Sequence, residues 1–247
     1  VLTERDRNIV AAIYAHRERE KRTPVSERPA VVRDAVASTL RFVDGFPDHA
    51  QAAIVLAAAA EDLYDLHELD GAMASARRVI DAYPQADRSV LRSAWTVVAH
   101  ASFDLALYEP AEQAYAHVLE ITPDDDESRQ AVVDSLAAAI YKQGEQATAA
   151  GDHRAAAGHY LRVATATPTS GIRPVAEYDA GAALIRLEDW AAAASVLEAF
   201  RQSHPAHELS QQATKQIATA YREQGADGRA AAEYERVAEE ATDAELR

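Results

Sequence analysis

Nine histidines and no cysteine leave this chain without thiolate metal sites, disulfides or cysteine nucleophiles. The closest histidine pair, His204 and His207, flanks Pro205. A proline breaks the helix that a paired zinc motif needs, so these two read as turn histidines and not as metal ligands. The run Asp124-Asp125-Asp126-Glu127 would attract a cation, but it lacks the spaced ligands and the glycine of a calcium loop. It reads instead as an acidic helix start, favoured there by the helix dipole. There is no glycine-rich phosphate loop, nucleophile elbow or paired-histidine helix. The sequence thus names no catalytic residue, no metal and no cofactor, and the chain reads as a non-enzyme.

Trp95, Tyr115, Tyr160, Phe200 and Tyr234 resemble a ligand-stacking set in type, but their helical spacing assigns them to a packing face. The elements behind that face follow from composition. Of the 247 residues, 57 are alanine, only 6% are aromatic, and glycine and proline number nine each. Alanine loses no side-chain entropy in a helix, so the chain reads as all-α. A net charge of −15 opposes nucleic-acid binding, which needs clustered Lys and Arg. No apolar run approaches the roughly 20 residues that span a bilayer, so no transmembrane segment is expected. The chain begins without methionine or a signal-like apolar stretch, which suggests a piece of a longer protein.

The helices repeat. Pro47, Pro84, Pro123, Pro168 and Pro205 lie at spacings of 37, 39, 45 and 37 residues, each after a helix-like segment. Twelve residues before each stands an alanine: Ala35, Ala72, Ala111, Ala156 and Ala193, with Ala230 in a sixth unit that lacks the proline. Seven residues after each alanine comes an apolar residue, Phe42, Val79, Val118, Val163, Phe200 or Val237, on the same helical face. Four residues after it come Thr39, Ala76, Tyr115, Tyr160, Leu197 and Tyr234. A second apolar-periodic segment precedes each stripe. Turns are expected at Glu68 to Gly71, Tyr108 to Pro110, Gly151-Asp152, Glu188-Asp189 and Gly225 to Gly228. The 45-residue spacing predicts a longer first helix, from about Glu127 to Ala150. Residues 1–29 read as an N-terminal helix over Thr3 to Glu20 and a charged loop from Lys21 to Pro29. Residues 30–247 read as one array of about five to six units, beginning with a helix over Val31 to Phe46.

In this register the chain resembles the tetratricopeptide repeat family, whose unit is a helix pair of about 34 residues with small residues where helices touch and a closing proline. Trp95, Val98, Ala99, Ala111, Tyr115, Val118 and Pro123 fit one such unit, and Gly181, Leu184, Ala193, Leu197 and Pro205 fit another. The Phe-Pro and Tyr-Pro endings are closest in style to bacterial envelope members, such as the Tol-Pal-associated coordinator and outer-membrane assembly lipoproteins. The resemblance implies a right-handed superhelical array of antiparallel helix pairs that binds a protein or peptide and is periplasmic or outer-membrane-associated, with a cytoplasmic place as the alternative. It also implies an inner wall built from the first helices, for which Glu61, Tyr64, Thr96, His100, Tyr178, Lys215, Thr219 and Arg222 are the candidates. Co-chaperone members grip a terminal carboxylate with Lys and Asn at places that hold Ala57, Glu61, Thr96 and His100 here. Two other readings stand beside the scaffold. One is a spacer or oligomerisation segment, self-associating through Ile217, Tyr221 and Tyr234, and the other is a helical-array enzyme or small-ligand binder.

Overall fold

The structure is a computed structural model describing residues 22–245 together with positions 11, 14, 15, 18 and 19, with side chains described up to 239. The described residues form eleven helices and no strand: α1 Arg28–Gly45, α2 Ala52–Asp65, α3 Leu69–Ala82, α4 Arg88–Asp104, α5 Tyr108–Ile121, α6 Arg129–Ala149, α7 His153–Ala166, α8 Arg173–Arg186, α9 Trp190–Ser203, α10 Ser210–Glu223 and α11 Asp227–Glu245. The fold is all-α and built from helix pairs, as the repeat predicts. The helix expected over residues 3–20 lies for the most part outside the described residues. The first helix of the array starts earlier than expected, at Arg28, because Pro29 sits in its first turn, where a missing N–H costs nothing.

The chain divides into two compact units, Val1–Asp126 and Glu127–Arg247. In the first, α2 packs on α1 and α3, and α4 packs on α2, α3 and α5. In the second, each helix from α6 to α11 packs on its neighbour in sequence, and α8 also touches α6 and α10. Phe42, Val43, Leu56 and Val79 are enclosed in the first unit, as are Ile140, Val163, Leu197, Phe200 and Ile217 in the second.

All six stripe alanines are buried. So is a small residue twelve positions before each of the last five, on the first helix of the pair: Ala60, Ala99, Gly144, Gly181 and Ala218. The two rows let paired helices approach closely. At Gly144 and Gly181 the approach requires glycine, because a methyl group there would stand 2.5 Å from the Tyr160 ring and from Leu197. The 45-residue spacing is carried by α6, 21 residues long against 14 for α2, α8 and α10. At about 1.5 Å per residue its seven extra residues add roughly 10 Å.

Five pairs close through three-residue turns whose middle residue is left-handed: His67, Ala106, Gly151, Glu188 and Gly225. Two turns fall where the sequence places them, at Gly151 and Glu188, and there Asp152 and Asp189 cap the next helix by accepting from Ala155 N at 3.0 Å and Ala192 N at 3.2 Å. A third takes Gly225, the first residue of its expected stretch, as the left-handed residue, and the remaining two lie a few residues earlier than expected. The glycine and proline expected to mark those two turns belong to the following helices. Gly71 packs inside α3 against Leu63, and Pro110 occupies the first turn of α5. The left-handed places are held by His67 and Ala106, which carry no turn signal.

Candidate partner-binding faces

In the first unit the polar side chains of α2 and α4 meet. The Tyr64 hydroxyl donates to Asp104 Oδ2 at 2.8 Å, and the Ser93 hydroxyl donates to Glu61. The His100 ring lies between Tyr64 and Tyr115, 5.7 Å from each. Burial of the ring holds the His100 pKa below the usual histidine range, against a weaker upward pull from Asp104. Burial, and then the bond to Asp104, pushes Tyr64 up to about 12. At neutral pH the face therefore presents a neutral imidazole and a neutral phenol, beside the side chains of Glu61 and Asp104. Thr96 turns its hydroxyl back onto Arg92 O at 2.8 Å, which leaves it a small half-buried surface.

In the second unit the first helices carry a ladder of their own. Tyr141 of α6 donates to Asp179 of α8 at 2.5 Å, and Gln216 of α10 donates to the Tyr178 hydroxyl of α8 at 2.8 Å. Tyr141 and Tyr178 are 37 residues apart, as are Asp179 and Gln216, so the two bonds join the same repeat positions, the tyrosine donating in the first and accepting in the second. Burial raises the Asp179 carboxyl above the carboxylate range, and burial followed by the Asp179 bond raises Tyr141. Lys215 and Arg222 are exposed and Thr219 half-exposed on α10, with Arg222 pairing with Glu223 at 2.6 Å. Tyr141, Asp179, Gln216, Ser93 and Asp104 were missed in the sequence. The spacing of 37 that marked the alanines would have found the first three.

The candidates thus fall into two groups, Glu61, Tyr64, Thr96 and His100 in the first unit and Tyr178, Lys215, Thr219 and Arg222 in the second.

Three residues assigned to self-association are corrected in part. Ile217 is fully enclosed and Tyr221 is 6% exposed, its hydroxyl donating to Glu198 at 2.6 Å, so neither presents a surface. Tyr234, assigned to the core, is 43% exposed. On α11 the buried place one residue earlier is taken by Glu233, which receives both Arg201 terminal nitrogens at 2.5 and 3.0 Å. Trp95 is half-buried, stacked flat on His117 at 4.3 Å.

A groove of about 490 Å³ runs between α1 and α3, floored by Val36, Leu40, Leu63 and Ala74. The pairs Arg33–Glu68 at 2.6 Å and Arg78–Asp44 at 2.7 Å cross it. Among the described residues no three histidine or carboxylate side chains gather to hold a metal, and no helix is long and apolar enough to cross a membrane.

No protein-family model and no curated protein matches the chain. Similar solved structures include tetratricopeptide-repeat proteins. One from Parabacteroides merdae is 13% identical with a TM-score of 0.40, covering 95% of this chain and 79% of its own. YrrB, described as a TPR protein with an unusual peptide-binding site, is 14% identical with a TM-score of 0.41, covering 79% of this chain and 89% of its own. MamA is 16% identical with a TM-score of 0.42, covering 77% and 92%. At these scores the likenesses carry no argument about this chain's partner, and the repeat is carried by the chain's own register of alanines, glycines and turns.

Proposed function

We propose that this chain is a non-catalytic scaffold that holds a protein or peptide partner on the faces of its first helices. The observation that supports this reading is the repeated polar and aromatic ladder across α6, α8 and α10, with its counterpart across α2 and α4. Each rung fixes a half-buried tyrosine between neighbouring helices and leaves charged groups exposed beside it. Such a face is rigid where it needs aromatic contact and adaptable at its rim, the division found in protein interfaces. The bacterial envelope setting is part of the proposal, supported by the style of the unit endings.

The test is affinity capture from bacterial envelope and cytosolic fractions with the parent chain and with Glu61→Lys, Lys215→Glu and Arg222→Glu. These exposed positions can change without touching the core. Capture lost on these changes, with helix content intact, supports the reading, whereas capture indifferent to all three contradicts it. The exposed Tyr234 on α11 supports a second reading, self-association through that helix. A species that stays monomeric at high concentration in sedimentation would exclude it.

A further inference from the structure

Three of the corners that lead from one helix pair into the next share a backbone turn. In each the second residue after the proline supplies a side-chain acceptor to the backbone N–H two residues further on. His49 Nδ1 accepts from Gln51 N at 3.0 Å, and His207 Nδ1 accepts from Leu209 N at 3.2 Å. In the third corner Ser170 Oγ accepts from Ile172 N at 3.4 Å. The backbone bonds around them match as well. The N–H of this residue bonds the carbonyl three back, at Phe46, His204 and Thr167, and its own carbonyl accepts from Ala52, Ser210 and Arg173. The N–H groups served belong to the N-cap residues of α2, α10 and α8. Each histidine ring also stands edge-on to the buried phenylalanine of the preceding helix, His49 on Phe42 at 5.0 Å and His207 on Phe200 at 5.6 Å.

A nitrogen that accepts from an N–H carries no proton, so both rings must be neutral with hydrogen on Nε2. We propose that His49 and His207 are proton-operated latches: acid closes off Nδ1, releases the N-cap amide and loosens the entry to α2 and α10, while the serine corner before α8 stays shut. The sign follows from the acceptor role. The bond is present while the ring is neutral and is lost when Nδ1 takes a proton. At the first corner Tyr14 donates to Gln51 Oε1 at 3.4 Å, and Asp48 of the corner acts on Tyr83 at the end of α3 together with Arg78 and with Asp44 of α1. Around the second corner the ionisable groups are Glu208, and His204 paired with Glu177 at 2.9 Å beside Arg173. The inference does not depend on the scaffold reading, although α2 and α10 carry Glu61, Tyr64, Lys215, Thr219 and Arg222.

The test is residue-resolved amide exchange by NMR on the whole chain at about pH 7.5 and pH 5, corrected for intrinsic rates, with Ile172 as the internal reference. Protection at Gln51 and Leu209 should fall about tenfold on acidification, the worth of one net hydrogen bond, while Ile172 holds. His49→Asn and His207→Asn place a non-titrating oxygen where Nδ1 stood and should flatten the response. His49→Ser and His207→Ser, copying the Ser170 corner, should do the same. Gln51 and Leu209 tracking Ile172, or the wild-type fall persisting in the variants, would overturn the proposal.

Discussion

Tyr160 and Tyr234 occupy the same register place, four residues after a stripe alanine, yet one is 5% exposed and the other 43%. The difference lies on the first helix of each pair. Beneath Tyr160 the backbone at Gly144 leaves a slot, Tyr141 packs its ring against it at 5.1 Å, and Thr148 meets its hydroxyl at 3.2 Å. Beneath Tyr234 the corresponding residues are Ala218, Lys215 and Arg222, with no ring to cover it. Tyr115 agrees with the rule, since His100 covers it and it too is 5% exposed. A repeat register therefore says where a side chain starts, and the partner helix decides whether it is enclosed. On α11 the enclosure passes to the Arg201–Glu233 pair, whose side chains are 15% and 10% exposed.

The contrast breaks first at the rings. Tyr160→Ala and Tyr115→Ala should each cost about 3–5 kcal/mol in chemical denaturation, and Tyr234→Ala no more than about 0.5 kcal/mol. Equal costs at Tyr160 and Tyr234 would end the comparison. Glu233→Ala, which strands a mostly buried guanidinium, should cost about 3 kcal/mol. Arg201 holds the Glu233 carboxyl below the ordinary range, so that contribution is present above the unfolded pKa and is lost as pH falls through the lowered folded value. Gly144→Ala should cost about 1–3 kcal/mol by forcing Tyr160 outward, despite the gain of up to about 1 kcal/mol in helix propensity. A more stable variant would mean that the slot is not tight. His100 supplies a pH test of the Tyr115 cover. Burial depresses its folded pKa, so its neutral form stabilises the fold above about pH 6.5, the usual histidine value, and stability falls below it. His100→Phe should flatten that limb of the thermal-melting profile. The smallest change is Ala106→Gly, which should raise stability by up to about 1 kcal/mol by relieving a left-handed alanine.

The helices, the stripe and the long α6 were legible because proline and alanine act locally and recur at a fixed spacing. Turn placement was less so. A left-handed residue is dictated by how two helices close, and His67 and Ala106 meet that demand without advertising it. The glycine rule failed at Gly71, which lies inside α3 beside Leu63 and away from the left-handed place. Of the inner-wall candidates, Glu61, Tyr64 and His100 do meet one another or their α4 neighbours. The bonds to Ser93, Asp104, Asp179 and Gln216 join residues 32 to 40 apart, and only the stacking of pairs brings them together. Glu233 was invisible for a related reason, since a buried carboxylate is tolerated only where its arginine reaches it.

The proposed function puts the partner on the first-helix faces. Hydrogen–deuterium exchange of the chain with and without its captured partner is the test. Added protection is expected along α2 and α4, or along α8 and α10, centred on Tyr64 and His100 or on Tyr178 and Thr219, with α3, α7 and α9 unchanged. Protection confined to the second helices, or to the groove between α1 and α3, would contradict it.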